Sequence, residues 1–475
     1  MGLSDFVYDF GYDYVYEKSP IFLQNLLCST YGLLEKRKRF SNHFFSYLDW
    51  LEESQYWSEQ EIYDYKLKEI KKIYSHAYSS VPYYRNKYKK AGLDLNSIQE
   101  IADIQKIPLL EKEEVRQNWK AMISDSNPDG KLYLKQTSGS SGKALDFYQT
   151  KRAISFQWAV WWRFRARFGI RFGDKSLNFI ADRVVPINQI KPPFWRVNRP
   201  LNQHLVNMQH IKPENIKYFV DYINNESFVF FSGYPNIIYT FCRLVENLGY
   251  KIINPPKFVF TGGEQLLNNQ KICIERVLNC IVTEQYGFSE GAGNASKCEH
   301  GLFHEDFEYG HLEGHNIIRS SKMTHNGELL ATGFSNYGMP LIRYNLGDNA
   351  TWSTKQCLCG RKSDVILSID GRNEDVIVTP EGTPLQFHGY IFDKTKEIVE
   401  CQVVQYKLGE MVFRIVKRHD YNSKIEDDLI KNVRKLISPT IKVKFEYLKH
   451  IERTDSGKIK MLVSYLNEDN GNINT

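Results

Sequence analysis

Thr137-Ser138-Gly139-Ser140-Ser141-Gly142-Lys143 follows closely on the strand-like Leu132-Tyr133-Leu134. Hydroxyls, glycine amides that allow close approach and one lysine suit a cradle for phosphate, because N–H dipoles and a cation together offset its charge. The same residues also describe an ordinary Ser/Gly loop, and alone they do not separate the two readings. A kinase-type phosphate loop is excluded. It needs Gly five residues before the Gly of Gly-Lys and Ser or Thr after the lysine, where this chain has Thr137 and Ala144.

Toward the C-terminus, short β-rich pieces alternate with helical stretches: Leu177–Ile180, Phe228–Phe231, Lys257–Phe260 and Cys280–Gln285. The alternation predicts an α/β body with substantially parallel strands. Two of these pieces run into small residues and a carboxylate, Thr261-Gly262-Gly263-Glu264 and Tyr286-Gly287-Phe288-Ser289-Glu290. Open α/β sheets bind ligands at such strand ends, although each stretch by itself also reads as a plain strand-to-helix turn. Past the turn-rich Gly371-Arg372-Asn373-Glu374-Asp375 come strand (Cys401–Val404, Met411–Val416), helix (Lys424–Leu436) and strand (Val443–Leu448) signals. They predict a small separate α+β domain over 373–466, after a large domain over 61–372. A polar tail, 467–475, is expected to be disordered.

Toward the N-terminus, Tyr63, Leu67, Ile70, Tyr74 and Ala77 recur at steps of three and four, which predicts an amphipathic helix limited by Pro82. Residues 1–60 are aromatic-rich and are expected to form a helical extension.

The 475 residues carry 42% hydrophobic, 25% charged and 14% aromatic side chains, too many core-formers for a disordered chain. The net charge of +6, from 62 Lys+Arg against 56 Asp+Glu, gives no support to a nucleic-acid partner at this length but suits an anionic nucleotide. The most apolar run, Phe228 to Cys242, is too short to span a bilayer and contains a Gly-Tyr-Pro-Asn turn signal. Eight cysteines without a secretory signal point to a reducing cytoplasm.

Further motifs follow in order: Arg343-Tyr344-Asn345-Leu346-Gly347-Asp348, then Gly371-Arg372, then Arg453-Thr454-Asp455-Ser456-Gly457-Lys458-Ile459-Lys460. The ordered set resembles the adenylate-forming superfamily of acyl-CoA synthetases, adenylation domains and luciferases. Val81-Pro82-Tyr83-Tyr84-Arg85 and Lys106-Ile107-Pro108-Leu109-Leu110-Glu111-Lys112 are similar to its phenylacetate–coenzyme A ligase-like branch. The resemblance spans roughly residues 60 to 460.

The resemblance implies a large domain of layered sheets and helices with a small mobile C-terminal domain, in which a carboxylate attacks the α-phosphorus of ATP. Acyl-AMP and pyrophosphate form, and the acyl group then passes to an acceptor. It implies that Thr137, Ser138, Gly139, Ser140, Ser141, Gly142 and Lys143 close over the β- and γ-phosphates. Gly262, Gly263 and Glu264 would line the adenine pocket, with Tyr286 and Gly287 beside the base. Ser289 would touch the α-phosphate, Glu290 would hold Mg²⁺, and Asp348 would bond the ribose with Arg372 nearby. Lys458 would be the catalytic lysine and Glu374 the hinge, a position where most relatives have Asp. The implied acceptor is coenzyme A. An amine or a carrier thiol, in surface-polysaccharide or secondary-metabolite biosynthesis, is the alternative. A non-catalytic binding protein is disfavoured by Lys458, Glu290 and Asp348 together.

Cys298, His300 and His304, with Cys357 and Cys359, make two clusters from which a closed tetrahedral Zn²⁺ site could draw four ligands. Reduced cysteines in surface loops are the other reading. The same branch often shows a similar set, and on that resemblance Cys298, His304, Cys357 and Cys359 are expected to hold a structural zinc. Trp158, Trp161 and Trp162 lie at helical steps and read as core packing, with an acyl pocket as the rival. Arg163, Arg165 and Arg167 read as a solvated surface, with contact to an anionic acceptor as the sharper option.

Overall fold

The computed structural model describes residues 16–136, 145–180, 184–263, 265–266, 268–321, 323–370, 376–382, 384–386, 397–417, 421–452 and 462–466. Helices α1 (Ile21–Arg39), α2 (Asn42–Ser54), α3 (Glu59–Ser80), α4 (Pro82–Lys90) and α5 (Lys112–Asn118) come first. Helix α3 starts at a capping box in which the Ser58 amide donates to Glu61 at 2.8 Å and the Glu61 amide to Ser58 Oγ at 3.3 Å. It stops one residue before Pro82, as the sequence predicts. Its inward face is the predicted one at Ile70, Tyr74 and Ala77 and departs from it at Tyr63 and at the half-buried Leu67. Ile62, Lys66, Ile70, Ile73, Tyr74 and Ala77 are buried, and Tyr63 is exposed. Lys66 can take an inner position because Glu305 at 2.8 Å and Asp364 at 3.3 Å meet its ammonium.

The hairpin β1 (Leu132–Gln136) and β2 (Asp146–Thr150) leads into α6 (Lys151–Ala166). Strands β3 (Ser176–Ile180), β4 (Trp195–Asn198) and β5 (Gln203–Asn207) follow, then α7 (Ile216–Asn225), β6 (Phe230–Gly233), α8 (Pro235–Asn247), β7 (Phe258–Thr261), α9 (Asn268–Leu278) and β8 (Ile281–Gly287). The predicted strands are thus present to within two or three residues at each end. With β5 they form the parallel run β5-β3-β6-β7-β8: helices α7, α8 and α9 return the chain in the same direction from β5 to β6, β7 and β8, and β3 reaches β5 by way of the antiparallel β4.

The expectation of a substantially parallel sheet holds for half of it. Strands β9 (Asn294–Lys297), β10 (Phe303–Glu305), β11 (Gly310–Arg319), β12 (Thr324–Gly333), β13 (Tyr344–Ser353) and β14 (Val365–Asp370) extend the sheet antiparallel from β8. The whole is a twelve-stranded sheet in the order β11-β12-β13-β14-β10-β9-β8-β7-β6-β3-β5-β4. Edge strand β4 pairs antiparallel with β5, and its outer side is covered by α1.

After the small pair β15 (Val376–Val378) and β16 (Pro384–Gln386), the C-terminal portion forms a four-stranded sheet. Its strands are β17 (Ile398–Gln405), β18 (Glu410–Lys417), β19 (Lys442–Tyr447) and β20 (Leu462–Ser464), and α10 (Ser423–Leu436) lies between β18 and β19 in sequence. Val403, Met411, Phe413, Ile415, Leu429 and Val433 form their own core there. Among the described residues, no helix is long and apolar enough to cross a membrane.

Candidate functional site

Register aligns Gly233 with Thr261 and Thr261 with Glu284, so β6, β7 and β8 end side by side and their loops share one rim of the sheet. Gly262 and Gly263 leave β7 at that rim. Gly263 has φ +80°, and a Cβ there would lie 2.9 Å from the Tyr234 ring, so only glycine lets this loop pass so close. A Cβ on Gly287 would run into Asn294 Oδ1, which accepts a hydrogen bond from Trp161 Nε1 at 3.2 Å. Helix α6 therefore braces the Tyr286-Gly287 turn from behind.

The predicted base and ribose residues meet. The Tyr286 hydroxyl donates to Asp348 Oδ2 at 2.6 Å, although 62 positions separate them. Glu290 is 7% exposed, and the Tyr344 hydroxyl donates to its Oε1 at 3.3 Å. Lys112 Nζ stands 3.7 Å from the same oxygen. Ser289 is exposed, and its carbonyl accepts from Gln149 Nε2 at 3.3 Å. One buried carboxylate beside an open rim suits Mg²⁺, which takes one or two protein carboxylates and leaves its other positions to phosphate and water. Lys112 and Tyr344 escaped the sequence reading as site residues. Lys112 arrives through chain routing: the Leu110 amide donates to the Arg343 carbonyl at 3.0 Å, and the buried Arg343 guanidinium donates to the Gln105 and Ile107 carbonyls and to Glu313.

Thr137 to Lys143, Glu264, Arg372, Glu374 and Lys458 lie outside the described residues, as does the tail 467–475.

Cys298, His304, Cys357 and Cys359 gather from two distant stretches, with one ligand atom of each within 4.8 Å of all the others. The Cys298 and Cys357 sulfurs are 3.7 Å apart, and Cys359 Sγ is 3.3 Å from His304 Nε2. A tetrahedral Zn²⁺ with bonds of about 2.3 Å to sulfur and 2.0 Å to nitrogen spaces its ligands about 3.5–3.8 Å apart, so the donor set fits. Burial, helped by Arg167 and Arg361, pulls His304 down to about 4, which leaves the imidazole neutral as a ligand must be. Burial pushes Cys357 up to about 12. At Cys359 burial acts the same way, but hydrogen bonding from Arg361 outweighs it and lowers the thiol. The Arg361 guanidinium also donates to Gln55 Oε1 at 3.0 Å and Glu299 at 2.9 Å, tying this cluster to the end of α2.

The basic cluster on α6 overturns its surface reading. Arg163 donates to Asp306 Oδ1 at 2.5 Å and Glu308 Oε1 at 3.2 Å, Arg167 donates to Asp306 Oδ1 at 3.2 Å, and all four side chains are no more than 2% exposed. Burial and the neighbouring Arg163 pull Arg167 down to about 10. Ser54 of the N-terminal extension donates to Glu308 at 2.6 Å. Arg165 stacks over Trp162, Phe230 and Phe260. Trp162 is core, as its spacing predicts, packed on Phe172 and Phe230.

The family model of the CapK C-terminal domain matches residues 378–465. The chain is 26% identical over 462 residues to Protein CapK of Staphylococcus aureus, covering 95% of this chain and 99% of that one. With a phenylacetate-coenzyme A ligase of Thermus thermophilus it shares 21% identity over 342 residues, 65% of this chain and 70% of the relative. A solved 2-hydroxyisobutyryl-CoA ligase in complex with 2-HIB-AMP and CoA superposes with a TM-score of 0.59 at 16% identity, over 88% of this chain and 94% of that one.

Proposed function

We propose, from the premise that the chain belongs to the adenylate-forming superfamily in its phenylacetate–coenzyme A ligase-like branch, that it is an AMP-forming acid–thiol ligase. A carboxylic acid and ATP give acyl-AMP and pyrophosphate, and the acyl group then passes to coenzyme A. The observation that carries this reading is the Tyr286–Asp348 contact at the shared strand rim, with Glu290 alongside. Nucleotidyl transfer needs positioning and charge neutralisation more than a protein nucleophile; the Tyr286–Asp348 pair would supply positioning, and Glu290 would offer a ligand for Mg²⁺, which would neutralise charge.

In this reading the Tyr286 ring flanks the adenine, and its hydroxyl holds Asp348 ready for the ribose hydroxyls. Gly262, Gly263 and Gly287 let the backbone come close to the nucleotide, with Ser289 at the α-phosphate. Glu290 would hold Mg²⁺, and the metal would supply charge neutralisation on the phosphate oxygens. Lys112 adds a second cation beside that carboxylate. The loop Thr137–Lys143, Glu264, Arg372, the hinge Glu374 and the catalytic Lys458 keep the roles that the resemblance implies. The Cys298, His304, Cys357 and Cys359 set would hold a structural zinc, since four protein donors leave no open position for chemistry. Free thiols throughout the eight cysteines suit a reducing cytoplasm.

A second reading changes only the acceptor. The match to CapK spans nearly both chains, N-terminal extension included, whereas the ligase of Thermus thermophilus matches about two-thirds of each. That difference favours keeping an amine or a carrier thiol open as the second nucleophile.

Pyrophosphate release with ATP and Mg²⁺, over a panel of aryl, fatty, hydroxy and amino acids with and without coenzyme A, tests the reading. Acid-dependent release with a thioester product is expected. Release without thioester selects the second reading. Lys458→Ala should abolish acid-dependent pyrophosphate exchange with ATP binding retained, and undiminished exchange would sink the mechanism.

A further inference from the structure

Helix α1 is built inside out. Gln24, Asn25 and Ser29 face the protein, where they hydrogen-bond β4, while the Thr30 hydroxyl on the exposed side bonds back to the Leu26 carbonyl. Ser29 Oγ donates to the Val197 carbonyl at 3.0 Å, and Asn25 Oδ1 accepts from the Val197 amide at 2.9 Å. Gln24 accepts from Arg196 at 2.7 Å, and Lys36 donates to the Pro200 carbonyl at 2.9 Å. Capping a sheet edge this way satisfies backbone groups that would otherwise recruit another strand.

The consequence is an apolar outer face. Phe22, Leu26, Leu27, Tyr31, Leu33 and Leu34 are 74, 58, 36, 59, 41 and 58% exposed, and no charged residue occurs between Phe22 and Leu34. Six side chains of this size present on the order of 600 Å² of apolar surface, as large as the patches that mark interaction sites.

We propose that this face is a self-association surface, covered by α1 of a second copy in an antiparallel two-fold pair. A two-fold axis sets the patch against itself, so about 1,200 Å² would be buried in total, enough for a specific interface. Centred on residue 28, the pair sets Phe22 of one copy against Leu34 of the other, and Leu23 against Leu33. The charges at the helix ends favour the antiparallel sense. Glu17 and Lys18 precede α1 and Lys36-Arg37-Lys38-Arg39 closes it, so an antiparallel pair sets each basic run level with a charge-balanced Glu17-Lys18 rather than with the other basic run. A parallel pair would stack the two basic runs. A lipid surface fits less well, because interfacial helices line their polar flank with free cations. Here that flank is spent on β4, and Lys38 and Arg39 pair with Glu35.

Sedimentation equilibrium of the full chain at micromolar concentration should find a dimer. Leu26→Glu and Leu34→Glu, whose side chains point to solvent, should each weaken it roughly 30-fold or more. Their circular dichroism should match that of the unsubstituted chain. An unsubstituted monomer, or a dimer indifferent to both substitutions, overturns the proposal. So does a monomer that co-sediments with phosphatidylglycerol vesicles, which assigns the face to a membrane. A monomer that dimerises only after deletion of residues 1–15 assigns the face to that segment and likewise overturns the proposal.

Discussion

Replacing Asp306 by alanine removes a carboxylate whose four acceptor positions are all taken. Arg163 at 2.5 Å and Arg167 at 3.2 Å donate to Oδ1, while Ser296 Oγ at 2.5 Å and Asn294 Nδ2 donate to Oδ2. Asp306→Ala leaves two guanidiniums in a space no water reaches, with only Glu308 as a carboxylate. Breaking a buried pair from one side costs about 3–5 kcal/mol, and we expect a loss in that range. The damage should reach the nucleotide loop, because Asn294 also fixes Trp161 behind Gly287. Urea unfolding followed by tryptophan fluorescence reads the stability loss, and ATP affinity reads the loop. The quadruple change Asp306→Leu, Glu308→Met, Arg163→Met and Arg167→Met should recover most of the loss, since it removes the stranded guanidiniums together with the Glu308 carboxylate that Arg163 would otherwise leave unpaired. A loss below about 1 kcal/mol for Asp306→Ala would refute the reasoning, because it would mean that water relieves both arginines.

Purified protein should carry about one zinc per chain, and Cys359→Ser should lower both metal content and melting temperature; metal-free protein that is fully folded would return the four residues to ordinary side chains. Lys112→Met should raise the KM for Mg·ATP about tenfold with little change in stability, by removing one cation from the phosphate region; an unaltered KM in steady-state kinetics would exclude Lys112 from the site. His210, stacked on Phe194, is held down to about 4 by burial, so between about pH 6.5 and 4 the unfolded chain binds a proton that the folded one refuses. Stability should therefore fall as pH drops through that window, by at most about 1.4 kcal/mol per pH unit from this group. Urea midpoints of His210→Gln against pH should show a shallower slope, and equal slopes would count against a neutral buried imidazole.

Strands β6 and β7 were legible because Phe228-Val229-Phe230-Phe231 and Phe258-Val259-Phe260 are short β-rich runs that end near Gly233 and Gly262, and β3 and β8 because Leu, Phe, Ile and Val cluster over a few residues between turn signals. A fully buried parallel strand needs nothing else. The antiparallel half of the sheet was not legible in the same way. β11, β12 and β13 are ten residues each and include polar stretches such as Gly327-Glu328 and Gly347-Asp348-Asn349, which read locally as turns. The meeting of Tyr286 with Asp348 could be expected only through resemblance, since nothing in either motif refers to the other.

Residue patterns alone were enough to read the α/β body, the C-terminal α+β unit and a Cys/His set of five possible metal ligands, whereas the nucleotide roles of the motifs and the choice of Cys298, His304, Cys357 and Cys359 came through resemblance. The former are carried by local periodicity, turn chemistry and residue type. What surrounds each charge came only with the packing of distant segments. Arg163 and Arg167 look like surface residues until Asp306 and Glu308, some 140 positions away, are brought against them. Lys66 can be buried only because Glu305 meets it, and α1 lies in an extension expected only to be helical, so which of its faces turns inward is settled by β4. Whether a charge or a polar face lies inside depends on a partner far away in the chain, and local patterning does not encode that partner.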